Sequence, residues 1–262
     1  MNEEVSIKPE IFRSDSTMRL ENKNILITGV AKGGIGEALL QELMENNNLI
    51  IVSKNLSSER FPEVQGFKID CTKELEINKL EDHISNTIGT LDILINCVGG
   101  SLGSRSIESI DQAFFEEVLA VNLTSAFLLT QMASRLLENG GSIVHIVSSS
   151  AFEPEINKIP YSVAKAGLVH LIRIMAISLA PRNIRINGVS PTYVFTDRHK
   201  EELRVKAEKE GIMYNESISQ KIKKQLLKTP LLPENLVEMV KFAATTEIMT
   251  GKVLHATLGR IT

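Results

Sequence analysis

From Asn24 onward the chain alternates between two periodicities, and that alternation limits its fold more than any other feature. Short aliphatic and β-branched runs fall at residues 25–28, 49–53, 66–69, 91–96, 142–148, 184–190 and 252–256. Helical patterns lie between the first six runs at 35–46, 74–88, 108–138 and 160–180, and another at 236–244 precedes the last. The gap between the second and third runs is polar, broken by Pro62, and carries no helical pattern. The strand runs are almost continuously apolar, as burial on both faces of a sheet requires. Strands alternating with helices build βαβ units, so the prediction is α/β: a doubly wound parallel sheet of about seven strands with helices on both faces. A length of 262 residues suits one large domain of this kind.

The balance of the chain narrows its partners. The net charge of −3 argues against a nucleic acid held through its phosphates. No uninterrupted apolar stretch approaches the roughly 20 residues of a membrane span. The start, Met1-Asn2-Glu3-Glu4-Val5, has neither the basic beginning nor the apolar core of a secretory signal. Cys71 and Cys97 follow strands that are not neighbours in the predicted order, so both are read as free thiols in a reducing cytoplasm.

Two segments stand apart. Residues 1–20 are polar and broken at Lys8-Pro9, and read as a loosely held extension, with Met18 an alternative start and 1–17 dispensable. The main domain is then 21–262. Within it, 192–229 is dense in Lys and Glu from Asp197 onward. It is either a solvated helical pair or a lid over substrate, since a long insertion after a strand's C-terminal end lies where ligands bind.

The first strand runs into Thr28-Gly29-Val30-Ala31-Lys32-Gly33-Gly34-Ile35-Gly36-Glu37. Glycines at a strand-to-helix turn let the backbone approach a pyrophosphate, and the helix beyond offers free N–H groups and a positive dipole end. A turn of this kind wants glycine anyway, but its place after the first strand and before an amphipathic helix favours a dinucleotide. An NAD-selecting domain places an acid about 20 residues on, for the ribose 2′-hydroxyl. Here the second strand ends Val52-Ser53-Lys54-Asn55. Lys54 in the acid's place, with Lys32 inside the turn, favours NADP(H) and leaves room for NAD(H); the bland alternative is two solvated lysines. Arg60 is a further candidate phosphate contact.

Tyr161 and Lys165 are spaced i, i+4, on one face of a helix. The ammonium is expected to favour phenolate and lower the phenol's pKa. Ser148, at the end of the fifth run, supplies a hydroxyl to hold a substrate oxygen. Together these make a proton-transfer site for a carbonyl/alcohol pair. A buried tyrosine also serves as a core aromatic, and a helical lysine as surface. His145 reads as a packed strand residue, and Arg198 and His199 as solvated.

These residues resemble the short-chain dehydrogenase/reductases over nearly the whole chain, from about Met18 onward. The glycine turn is similar to that family's Thr-Gly-x-x-x-Gly-x-Gly, which places Gly29, Gly33, Gly34, Ile35 and Gly36 at the cofactor. Asp70, with Cys71 beside it, corresponds to the acid that contacts adenine. Asn96-Cys97-Val98-Gly99 resembles Asn-Asn-Ala-Gly. Asn122 matches the active-site Asn, and Ser148, Tyr161 and Lys165 match the Ser and the Tyr-x-x-x-Lys. Asn187-Gly188-Val189-Ser190-Pro191 and Thr196, with Val194 between, resemble the segment that holds the nicotinamide carboxamide.

The resemblance implies a Rossmann-like fold and hydride transfer between a nicotinamide and a carbonyl or alcohol carbon. Tyr161 is then the acid/base, Lys165 binds the nicotinamide ribose, Ser148 holds the substrate oxygen, and Asn122 supports a water leading to Lys165. The substrate is a small molecule, polar or of mixed polarity. The alternatives are an NAD-dependent dehydrogenase of a polyol, sugar or hydroxy-ring compound, and a non-catalytic nucleotide sensor. The resemblance also implies a homodimer or homotetramer formed through helices 108–138 and 160–180. The chain departs from the family in three places. The glycine turn has one extra residue, Thr192 replaces the Gly of a Pro-Gly pair, where a left-handed backbone would be strained, and Thr257-Leu258-Gly259 replaces Asp-Gly-Gly.

Overall fold

The computed structural model describes residues 20–57 and 60–260. The extension read at 1–20 therefore lies outside the described residues except for Leu20. That side chain is buried against the first strand's face of the core, and its carbonyl accepts from Asn47 Nδ2 at 2.9 Å.

Seven strands form one sheet: β1 Asn24–Thr28, β2 Asn48–Ser53, β3 Gln65–Lys68, β4 Leu91–Asn96, β5 Leu137–Ile146, β6 Arg185–Pro191 and β7 Val253–Ala256. Their order is β3-β2-β1-β4-β5-β6-β7, and every pairing is parallel. Alternate residues of each strand enter opposite cores, because successive side chains point to opposite faces. Leu26, Leu94 and Ile143 join one core with α2 (Glu74–Thr87), α4 (Ser125–Leu136) and α5 (Ile159–Leu179). Ile25, Ile27, Ile93, Ile95 and Val144 join the other with α1 (Ile35–Leu43) and α8 (Val237–Thr245). The strand order reverses between β1 and β4. In open α/β sheets the crevice beyond such a reversal is where ligands bind.

Two elements differ from the sequence reading. The helix expected over 108–138 begins only at Gln112, where the Asp111 side chain caps it by accepting from Phe114 N at 2.8 Å. It is also not continuous, since α3 (Gln112–Leu119) and α4 are joined by a π-helical turn, Ala120–Thr124, centred on Asn122. The fifth strand starts five residues before 142. Leu137 pairs with Leu91 and Ser142 with Ile93, so the intervening Glu138-Asn139-Gly140-Gly141 interrupts the ladder.

The segment 192–229 folds as two helices, α6 (Asp197–Glu210) and α7 (Tyr214–Lys221). They share a small core of Phe195, Leu203 and Ile222 with Tyr193, Tyr214 and Ile218. By length and composition the helical stretches Gln112–Leu136 and Ile159–Arg182 are apolar enough to cross a membrane, which the sequence reading did not anticipate. Both lie on the sheet and contribute to one of its cores.

Candidate active site

The glycine turn is shaped by two close approaches. Gly29 adopts φ +77°, and a Cβ there would lie 2.5 Å from the backbone of Cys97 and Val98, so glycine alone lets β1 turn beneath the β4 loop. The extra residue of the turn is absorbed between Ala31 and Gly34, where Gly34 N donates to Ala31 O at 3.0 Å and Gly33 takes φ +59°. Gly34 is thereby the N-cap of α1. Gly33 faces the start of α6, and a Cβ on it would meet the Asp197 side chain at 2.1 Å. Its N–H donates to Glu37 Oε2 at 2.6 Å, and Arg60 pairs with the other oxygen of that carboxylate at 2.5 Å.

A cavity of about 540 Å³ opens above the C-terminal ends of β1, β4, β5 and β6. Gly29, Lys32, Gly34, Ile35 and Gly36 form its glycine side, and Ser148, Tyr161 and Lys165 its β5–α5 side. Pro191, Val194 and Thr196 close it after β6. Gly33, Lys54, Asp70, Cys71, Asn96 and Asn122 do not line it. Lys54 and Asp70 instead meet each other past the ends of β2 and β3, with Nζ 2.7 Å from Oδ2. Burial would raise the Asp70 carboxyl, but the bonds from Lys54 and Thr72 outweigh it and hold the pKa down at about 2. The Cys71 thiol is buried, which pushes it up to about 12 and leaves it inert at neutral pH.

Asn96 has a structural position. Its Oδ1 accepts from Thr28 Oγ1 at 2.8 Å, and its Nδ2 lies 3.0 Å from His145 Nδ1. His145 Nε2 lies 2.9 Å from Thr130 Oγ1, which donates to Ala126 O at 2.7 Å. With Asn96 donating to Nδ1, the imidazole is the neutral Nε2–H tautomer. Asn122 pins the β4 loop: Oδ1 accepts from Gly100 N at 3.0 Å while Nδ2 donates to Gly100 O at 2.8 Å and Val118 O at 2.9 Å. A Cβ on Gly99 would lie 2.9 Å from Asn122 Oδ1 and 3.0 Å from Lys165 Nζ, so that loop is wedged between the two side chains.

Tyr161 and Lys165 share the first turns of α5, with Nζ 5.8 Å from the Tyr161 ring centroid. The ammonium is buried and donates to Ile146 O at 2.9 Å. Burial lowers the lysine to about 8. The phenol departs from expectation. Burial raises it above its ordinary value, while the neighbouring Ser148 hydroxyl works in the opposite direction. Lys165 spends its ammonium on a β5 carbonyl, so desolvation outweighs the attraction that i, i+4 spacing suggested. Thr192 also departs from expectation: its backbone is outside the left-handed region, and its N–H donates to Ala256 O at 3.1 Å, so the substitution for glycine causes no strain.

A family model described as "short chain dehydrogenase" matches residues 23–206. The chain belongs to the short-chain dehydrogenase/reductase family. It is 30% identical over 261 residues to the 3-oxoacyl-[acyl-carrier-protein] reductase FabG of Aquifex aeolicus, covering 92% of this chain and 98% of that one. It is 32% identical over 202 residues to the 7alpha-hydroxysteroid dehydrogenase of Escherichia coli K12, covering 72% and 78%. Among solved structures, a short chain dehydrogenase family protein from Francisella tularensis superposes with a TM-score of 0.82 at 28% identity, covering 91% and 98%. Members act on hydroxyl and carbonyl groups with NAD(P), and this chain is such an oxidoreductase.

The residues of this dehydrogenase/reductase fit a nicotinamide dinucleotide. The Gly29–Cys97 approach leaves a bare backbone floor that any Cβ would fill. Lys165, with three N–H donors, has one protein acceptor among the described residues and faces the cavity. Sequence reasoning missed several cavity residues: Glu155, Lys158, Gln220, Lys221, Lys223, Lys224 and Arg260. Lys158 was within reach, three residues before Tyr161. The run Lys221-Ile222-Lys223-Lys224 was visible, but as an apparent solvated face.

Proposed function

We propose that this reductase transfers hydride between NADP(H) and a carbonyl or alcohol carbon of a small substrate, with Tyr161 as acid and base. The observation that carries this reading is the meeting of Ser148, Tyr161 and Lys165 on one cavity wall opposite the glycine turn. The nicotinamide cofactor, when bound, supplies or accepts the hydride at the substrate carbon. Tyr161 gives its phenolic proton to the substrate oxygen in reduction and takes it back in oxidation. A phenol raised by burial is fully protonated at neutral pH, which suits the acid role. Ser148 donates to the developing oxyanion. Lys165 offers its remaining N–H groups to the nicotinamide ribose, and Asn122 fixes the β4 loop against it.

Gly29, Gly34, Ile35 and Gly36 carry the pyrophosphate at the start of α1, and Pro191, Val194 and Thr196 border the nicotinamide. Lys54 and Lys32 favour the 2′-phosphate of NADP, and Asp70 faces the adenine end. The pair of free thiols supports a reducing cytoplasm as its location. The segment 192–229 serves as the substrate lid.

A screen of carbonyls and alcohols, followed by cofactor absorbance in both directions, finds the substrate. Tyr161→Phe then lowers turnover by about 10²–10⁴-fold, with cofactor affinity unchanged by titration. Wild-type turnover in that variant ends the acid/base assignment.

A further inference from the structure

The protein as a whole is acidic, with a net charge of −3, yet one end of its cavity is crowded with cations. Lys158, Lys221, Lys223, Lys224, Arg198 and Arg260 all line it, against the single lining carboxylate Glu155. Most of these cations are already matched. Lys158 pairs with Glu155 at 3.0 Å, Arg198 with Glu202 at 3.4 Å, and Lys224 and Arg260 both with Glu153 at 2.5 Å. Lys221 and Lys223 have no carboxylate within ion-pair distance among the described residues. Lys221 is held in place, its Nζ 4.4 Å from the centroid of the Tyr193 ring, which itself stacks on His199. Burial and the charge of Lys158 both push its ammonium below the usual lysine range. A bound anion would relieve that crowding.

The cluster belongs to the substrate end of the cavity. Ser150, two residues past Ser148, donates to Glu155 Oε1 at 2.5 Å; Glu155 pairs with Lys158; and Lys158 stands three residues before Tyr161. The lysines that face the dinucleotide, Lys32 and Lys54, are on the other elements described above. We infer that the substrate carries an anionic oxygen group, a carboxylate or a phosphate, which Lys221 binds with Lys158 and Lys223 beside it. This rests on the oxidoreductase reading of the same cavity, and it deepens that reading by naming the substrate's charge. A charged group fixed there would hold the reacting carbon at Tyr161 through binding made away from the chemistry. Glu155 is the built-in limit: it keeps Lys158 engaged, so the free charge available to a ligand is centred on Lys221 and Lys223.

The test uses the full chain holding oxidised cofactor and two matched pairs of probes, read by calorimetric titration at low salt. One pair is acetoacetate and methyl acetoacetate; the other is glycerol 3-phosphate and glycerol. The expected result is that the anion of at least one pair binds about tenfold or more tightly than its neutral partner, the scale of one charge-assisted hydrogen bond. The pair that shows the effect separates a carboxylate from a phosphate site. Lys221→Gln abolishes the preference and Lys221→Arg retains it, while cofactor affinity is the same in all three proteins. The preference also shrinks as salt rises. Equal binding of charged and neutral members overturns the inference, as does a preference that survives Lys221→Gln. A fall in cofactor affinity in Lys221→Gln also overturns it, since the lysine would then serve the dinucleotide. Because titration needs no turnover, anion binding without any change in cofactor absorbance across the carbonyl screen would count against hydride transfer and not against the anion site.

Discussion

The ammonium of Lys54 lies 2.7 Å from Asp70, and the two side chains differ sharply in exposure, 71% for the lysine against 18% for the acid. In the proposed reading the pair stands at the adenosine end of the dinucleotide, so its two members favour opposite cofactors. A carboxylate there accepts from a 2′-hydroxyl and repels a 2′-phosphate, whereas the lysine attracts the phosphate. An exposed ion pair is weak and screened by salt, so a phosphate with nearly two charges displaces Asp70 from Lys54 more readily than a neutral hydroxyl does. The expected outcome is tighter binding of NADPH than NADH, with Lys54→Asp weakening NADPH by roughly tenfold or more, the scale of one charge-assisted contact. Equal affinities of the wild-type protein for the two cofactors, measured by fluorescence titration, would remove Lys54 from the argument. Lys165 teaches the companion lesson at the other end of the cleft. Two side chains four apart on a helix were placed on one face correctly, but burial and a β5 carbonyl decide their protonation.

At the scale of elements, β1, β4, β5 and α4 are joined by the buried chain Thr28–Asn96–His145–Thr130. His145 is fully buried and its pKa is depressed to about 3 from an ordinary 6.5, first by desolvation and then by the charge of Lys165. A folded state that refuses a proton the unfolded chain accepts loses stability as pH falls below 6.5, and the loss continues until about pH 3. Between pH 7 and 5 this amounts to about 2 kcal/mol, or a melting temperature lower by roughly 5 °C. His145→Gln should flatten that acid slope even if it lowers the melting temperature overall; melts with an unchanged slope would show that other groups set the acid sensitivity. The sequence revealed the strands feeding this chain because their apolar runs, such as Ile25–Ile27 and Ile93–Ile95, fill both faces of the sheet. It did not reveal the early start of β5, since Leu137–Gly141 has no strand pattern and pairs through Leu137 alone before the loop. It did not reveal the π-turn either, because Asn122 is placed by Gly100, a partner supplied by another element. The candidate site divides the same way. Gly29, Ser148, Tyr161 and Lys165 were legible from spacing, whereas Arg260 reaches Glu153 only through the fold.

The whole molecule leaves an apolar stripe uncovered. On α5, Val163, Ile174 and Ile177 are 49%, 51% and 78% exposed, and Phe127 on the neighbouring α4 is 40% exposed. The α5 positions repeat at separations of eleven and three, close to one helical face. Both helices pass as long and apolar because one face of each packs on the sheet while the outer face still carries these side chains. Exposed large apolar side chains gathered on neighbouring helices are the kind of feature that marks a contact surface. The two helices are adjacent, and a second copy related by a two-fold axis would cover the stripe with the same stripe. We propose on this ground that the protein assembles as a homodimer or homotetramer through α4 and α5. Ile177→Glu places an unpaired carboxylate in that contact, and burying a charge without a partner costs several kcal/mol. Light scattering should find the wild-type protein as an oligomer and Ile177→Glu at monomer mass, with an unchanged circular dichroism spectrum. An oligomer that withstands both Ile177→Glu and Ile174→Glu would place the interface elsewhere. A monomeric wild type would leave the stripe without a partner of its own kind.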